Sequence, residues 1–175
     1  MPPTVTAMLL AGTVALAGLA LVPSRAGAQQ PATAEAIAII VHRSNPVDEL
    51  SSAQLKRIYM FDTQNWPHGR KITVMVREKG QPDRAEAIRL ICGISEVEYE
   101  RHVLLQTFRG SLGPGPRSIQ SVSAMIRFVF NAPGAIGYIP SDQIDGSVKV
   151  LRIDGLLPTE PSYPLRRGDR VGRDD

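Results

Sequence analysis

Three strand-length apolar runs constrain what this chain can become: AIAIIV at residues 36–41, ITVMV at 72–76 and AIGYI at 135–139. Each is too short for an ordinary helix and holds the β-branched side chains that suit a pleated, packed surface. The first run is apolar at every position, the pattern of a strand covered on both faces, and is expected to be a buried parallel strand. Segments with helical spacing stand between the runs. SSAQLKRIYMF opens with Ser51 and Gln54, a capping box, and puts Leu55, Ile58 and Tyr59 on one face. A second helix starts near Pro82, carries Asp83 and Glu86 where the helix dipole favours acid, and closes at Gly93. A third starts at the capping box of Ser95 and Glu98 and runs to about Phe108, with Val97, Leu104 and Phe108 expected inward. RGSLGPGPRS then reads as a loop, and Ile119, Val122, Ile126, Val129 and Phe130 space out a fourth helix. VKVLRI, residues 148–153, is the last strand expected. Strands alternating with helices predict an α/β fold: a mostly parallel sheet flanked by helices.

NAPGAIGYIP, residues 131–140, places two prolines and two glycines around one short strand. Pro133 stops the fourth helix and Gly134 lets the chain reverse. Gly137 clears a space that either a packed helix or a close-lying backbone or ligand would use. Trp66, the only tryptophan, sits in a turn beside Pro67 and is expected to be buried and structural.

Charge and composition exclude several functions. Twenty Lys and Arg oppose seventeen Asp and Glu, a net +3 that is scattered along the chain, and aromatics make up only 5%. A nucleic-acid partner would call for a basic stripe interleaved with aromatics, so none is expected. Residues 8–22 form an apolar run followed by Ala26, Gly27 and Ala28. That reads as a signal peptide cleaved near Ala28 and a periplasmic mature protein; a membrane anchor would need a span of about 20 residues. Residues 29–35 read as a linker and residues 158–175 as a weakly ordered basic tail. The single cysteine, Cys92, shares a helical face with Ile88 and Ile91 and reads as a buried, inert thiol. His42, His68 and His102 stand in separate contexts without metal-ligand spacing, and neither G-x-S-x-G nor a P-loop occurs. No metal, cofactor or enzymatic activity is expected.

The apolar strand ending in SNP, then LSSAQLKRIYMFDTQNWPHGRKITVMVR, then AIRLI after a strand and loop, then PGAIGYIP after a helix, together resemble type 2 periplasmic solute-binding proteins of the phosphate ABC-transporter kind. The likeness runs from about Ile37 to Pro140. It implies one lobe of such a fold over residues 36–157, and non-covalent binding of phosphate or a related small oxyanion for an ABC-type uptake system. The membrane component of that transporter, or another envelope protein, is the implied partner. Trp66 looks like the family's loop-packing tryptophan.

The resemblance also implies a site. Arg77 ends KITVMVR, and the turn of Gly80, Gln81 and Asp83 delivers the next helix start, where unpaired N–H groups favour an anion. Ser44 and Asn45, after the first strand, would share that sheet edge if the strands are parallel, or else serve only as turn formers. Lys79 and Arg84 flank the loop as solvated charges. The chain departs from the family pattern where phosphate binders carry Ser-Gly-Thr after this arginine. Here Gln81, Pro82 and Asp83 stand in their place. Proline removes an N–H and aspartate adds negative charge, so phosphate contact at the turn is expected to be weaker. The alternative is a periplasmic interaction module that kept the fold without a ligand.

Overall fold

The computed structural model describes residues 36–110 and 115–168. The expected signal peptide and linker lie outside the described residues, as do residues 169–175.

Among the described residues four α-helices form: α1 (Ser52–Tyr59), α2 (Arg84–Cys92), α3 (Glu96–Phe108) and α4 (Val122–Asn131). Both capping boxes are present, Ser51 with Gln54 and Ser95 with Glu98, so the first donors of α1 and α3 are satisfied locally. Gly93 closes α2 in the left-handed conformation, φ 72°. The strands are β1 (Ile37–Val41), β2 (Glu49–Leu50), β3 (Thr73–Arg77), β4 (Arg117–Ile119), β5 (Ala135–Pro140), β6 (Lys149–Val150) and β7 (Arg152–Ile153).

Five strands make the central sheet in the order β4-β3-β5-β1-β6, while β2 and β7 form a small parallel pair. Side chains of β1 alternate between two cores. Ile37, Ile39 and Val41 pack with α1, α2 and the Tyr99 face of α3, whereas Ala38 and Ile40 pack with Met125 and Val129 of α4. The sheet is thus flanked by helices on both faces, as an α/β fold requires.

Four expectations are corrected. β1 is buried on both faces, yet it runs antiparallel to both neighbours, with Ile37 opposite Pro140, Val41 opposite Ile136, and Ile40 opposite Val150. A continuous apolar run reports two covered faces and carries no information on direction. The parallel pairs are β3 with β4 and β3 with β5, so the sheet is mixed. Second, the loop before α4 ends in strand β4, and Ile119 belongs to it rather than to the helix. Third, Val97, Leu104 and Phe108 are 68%, 55% and 81% exposed; α3 turns Tyr99 inward instead. His102, three residues on and on the same face, docks beside it, its Nε2 2.9 Å from the Met60 carbonyl. Fourth, residues 148–153 split between two sheets, with buried Leu151 at the switch donating its N–H to the Ile39 carbonyl.

The core also takes in Tyr163 and Leu165, from the segment read as a weakly ordered tail, and the Ile37 N–H donates to the Leu165 carbonyl at 2.9 Å. Trp66 is 2% exposed and its Nε1–H donates to the Gly134 carbonyl at 3.1 Å, the same oxygen that accepts the Thr73 N–H. A Cβ on Gly134 would stand 2.4 Å from the Lys71 carbonyl oxygen, and one on Gly137 would stand 2.7 Å from Met125 Sδ. Gly137 therefore makes room for α4, which is the helix-packing role.

Candidate functional site

Strand β3 is buried from Val74 onward and ends in Arg77, itself only 5% exposed. A guanidinium withdrawn from water needs partners for its fork of donors. The next six residues supply two of them, Gln81 and Asp83. Gly80, at φ 85°, lets the chain double back, and the Gln81 N–H closes a turn on the Glu78 carbonyl. The Arg84 N–H then bonds to the Gln81 carbonyl at 3.1 Å, which returns Gln81 and Asp83 over the end of β3.

Arg77 Nε donates to both carboxylate oxygens of Asp83, at 3.2 and 3.1 Å. Its Nη2 donates to Gln81 Oε1 at 3.0 Å and its Nη1 to the Ile119 carbonyl at 3.3 Å. The Arg77 backbone N–H donates to the hydroxyl of Tyr138 on β5 at 3.0 Å. Burial pushes the Tyr138 phenol above its ordinary range, so that hydroxyl stays neutral. Asp83 is 5% exposed and sits at the N-cap position of α2, yet its side chain makes no capping bond there. Its carboxylate is committed to the arginine.

A second layer surrounds this pair. Arg84, only 6% exposed, donates from Nη1 to the Arg77 carbonyl, pairs with Glu96 at 2.5 Å and reaches Glu100 at 3.7 Å. Lys79 meets Glu100 at 2.9 Å on the exposed rim. The ion pairs of this end of the sheet thus set Arg77, Lys79 and Arg84 against Asp83, Glu96 and Glu100. A groove of about 380 Å³ lies alongside, between α3 and β4, with Val76, Arg84, Tyr99, Glu100 and Ser118 in its walls. Arg77 and Asp83 do not line it.

Of the residues expected to bind a ligand, Arg77, Gly80, Gln81 and Asp83 come together. Ser44 and Asn45 do not join them. Because β1 is antiparallel to β5 and β5 parallel to β3, the carboxyl end of β1 lies beside the amino end of β3. Val41 is level with Val74 across Ile136, so three residue steps, about 10 Å along the sheet, separate that level from Arg77. The shared edge was conditional on parallel strands, and that condition fails. At their own end the two residues shape a turn. Ser44 bonds through its N–H and hydroxyl to His42 Nδ1, and Asn45 Oδ1 accepts the Val47 N–H at 3.0 Å. Arg84 is corrected in the other direction, from a solvated charge to a buried one. Tyr138, Ile119 and Glu96 were not read as site residues. Their signal is tertiary, apart from the acids at positions 96 and 100, whose spacing of four puts both on one face of α3.

Residues 6–145 match the family described as a PBP superfamily domain. An ABC-type phosphate transport receptor from Vibrio cholerae is 27% identical with a TM-score of 0.58, the likeness covering 71% of this chain and 48% of that one. A Clostridium perfringens protein, assigned as a phosphate ABC transporter substrate-binding protein and solved with bound phosphate, is also 27% identical. Its TM-score is 0.59, and 71% of this chain and 47% of that one are covered. PstS from Borrelia burgdorferi, 17% identical with a TM-score of 0.56, shares the fold. The chain spans about half the length of these structures. With its family match over residues 6–145, its sheet flanked by helices and its likeness to phosphate transport receptors, the chain belongs to the PBP superfamily.

Proposed function

We propose that this chain is a solute-binding domain that takes phosphate or a related small oxyanion, outside the cytoplasm, for an ABC-type uptake system. The observation that carries the reading is the buried guanidinium of Arg77 at the carboxyl end of β3, where the chain turns into α2. Crevices at the carboxyl ends of strands are where α/β folds hold ligands, and a charge-assisted hydrogen bond from arginine is a strong, directional way to hold an oxyanion. Gly80, Gln81 and Asp83 form the turn around it, while Ser44 and Asn45 stay out of this contact. Binding is non-covalent, and no catalytic role is assigned to any residue. The membrane component of the transporter is the partner that this role entails.

Calorimetry of the purified protein with phosphate, sulfate and molybdate tests the reading. Expected is phosphate binding with Kd on the order of 0.1–1 mM, about 4–5.5 kcal/mol. Arg77→Ala should abolish it. Binding that survives Arg77→Ala would place the anion elsewhere. A second reading, an envelope interaction module without a ligand, is favoured by one observation, the Asp83 carboxylate already seated on Arg77. It takes over if no oxyanion binds to the wild type or to variants that free the arginine.

A further inference from the structure

We propose that Asp83 is an internal latch: its carboxylate occupies the Arg77 guanidinium face that an external oxyanion would take, so ligand and side chain compete for one seat. The inference rests on Arg77 being the oxyanion contact. Three observations carry it. Each nitrogen of the Arg77 fork already donates to the protein, Nε to Asp83, Nη2 to Gln81 and Nη1 to the Ile119 carbonyl. Asp83 caps no helix, because it stands before α2 with a helical backbone, φ −89° and ψ −9°, and its carboxylate goes to the arginine instead. The pair is also withdrawn from solvent, with both side chains 7% exposed, so the carboxylate is held where an anionic ligand would have to arrive.

Charge leads to the same conclusion. Arg77, Lys79 and Arg84 are already balanced by Asp83, Glu96 and Glu100, so these six side chains together offer no net positive charge to draw an anion. A phosphate arriving at Arg77 must turn the Asp83 carboxylate away and then sit near it. Like charges at that distance repel, so the two cannot share the guanidinium comfortably. Of these carboxylates only Asp83 contacts Arg77 itself, which makes it the residue that sets affinity and specificity.

The test uses the full chain with inorganic phosphate as probe, in wild type, Asp83→Thr, Asp83→Ala, Arg77→Ala and the double variant Arg77→Ala/Asp83→Thr. Threonine is the main replacement because it removes the carboxylate and keeps a hydroxyl that can donate to the anion; alanine is the second. Titration calorimetry is paired with the rise of Tm on adding phosphate. The expected result is that Asp83→Thr binds phosphate about tenfold tighter than wild type or better. Its Tm should rise with phosphate by more than that of wild type, and the double variant should lose both effects. If both Asp83 variants bind no tighter than wild type while Arg77→Ala abolishes wild-type binding, the latch is overturned and the oxyanion reading stands. If wild type and both Asp83 variants all fail to bind, latch and reading fall together.

Discussion

The Arg77–Asp83 pair should hold the β3–α2 turn as well as govern the ligand, and its energetic weight can be worked from its surroundings. Exposed ion pairs contribute about 0–1 kcal/mol, whereas removing one partner of a buried pair costs about 3–5 kcal/mol because the other charge is stranded. Here both side chains are 7% exposed, which puts the pair in the second class. Asp83→Ala would strand a guanidinium that keeps Gln81 Oε1 and the Ile119 carbonyl, so its cost should sit at the low end, about 3 kcal/mol. Arg77→Met keeps most of the volume and strands the buried Asp83 carboxylate, so about 3–5 kcal/mol is expected. The double variant strands no charge. It should lose less than the sum of the two, with a coupling of about 1–3 kcal/mol. Urea unfolding followed by tryptophan fluorescence and circular dichroism supplies the four stabilities of the cycle. A cost below about 0.5 kcal/mol for Asp83→Ala, with an additive double variant, would mean that water screens the pair and that the turn stands without it.

Trp66→Ala should cost about 3–5 kcal/mol, since it empties a buried site and removes the bond to the Gly134 carbonyl; an unchanged denaturation midpoint would contradict this. Gly134→Ala should destabilise more than Gly137→Ala, because the first meets a backbone oxygen and the second the movable end of Met125, with costs of about 1–3 kcal/mol for overpacking. The reverse order in thermal melts would show that the β5 turn yields more easily than the helix side chain. Burial pushes the Cys92 thiol up to about 12, so it should resist a thiol reagent at pH 8 until the protein unfolds, and prompt labelling of the native protein would refute its burial. The Ser95 hydroxyl and N–H hold Glu98 below its ordinary range. Its stabilising contribution should therefore be present at neutral pH and fade as the pH falls through that lowered value, and Ser95→Ala should flatten this acid limb of the stability profile.

Capping boxes at Ser51 and Ser95, the glycine stop at Gly93 and the three long strands were legible because each depends on residues a few positions apart. Direction and facing were not. β1 is equally apolar whether its neighbours run with it or against it, and that one ambiguity moved Ser44 and Asn45 to the wrong end of the sheet. On α3, Val97, Leu104 and Phe108 make a plausible inward stripe, but Tyr99 and His102 on another face found the better partners. Arg77 was legible as a strand-end cation, and Gln81, Pro82 and Asp83 as a departure that weakens anion contact. What local spacing could not convey is that the departure is a replacement. With Gly80 reversing the chain, Gln81 and Asp83 return to Arg77 the acceptors that a bound oxyanion would have offered. Whether an anion can take this seat therefore depends less on which arginine is present than on which side chain, six residues later, already occupies it.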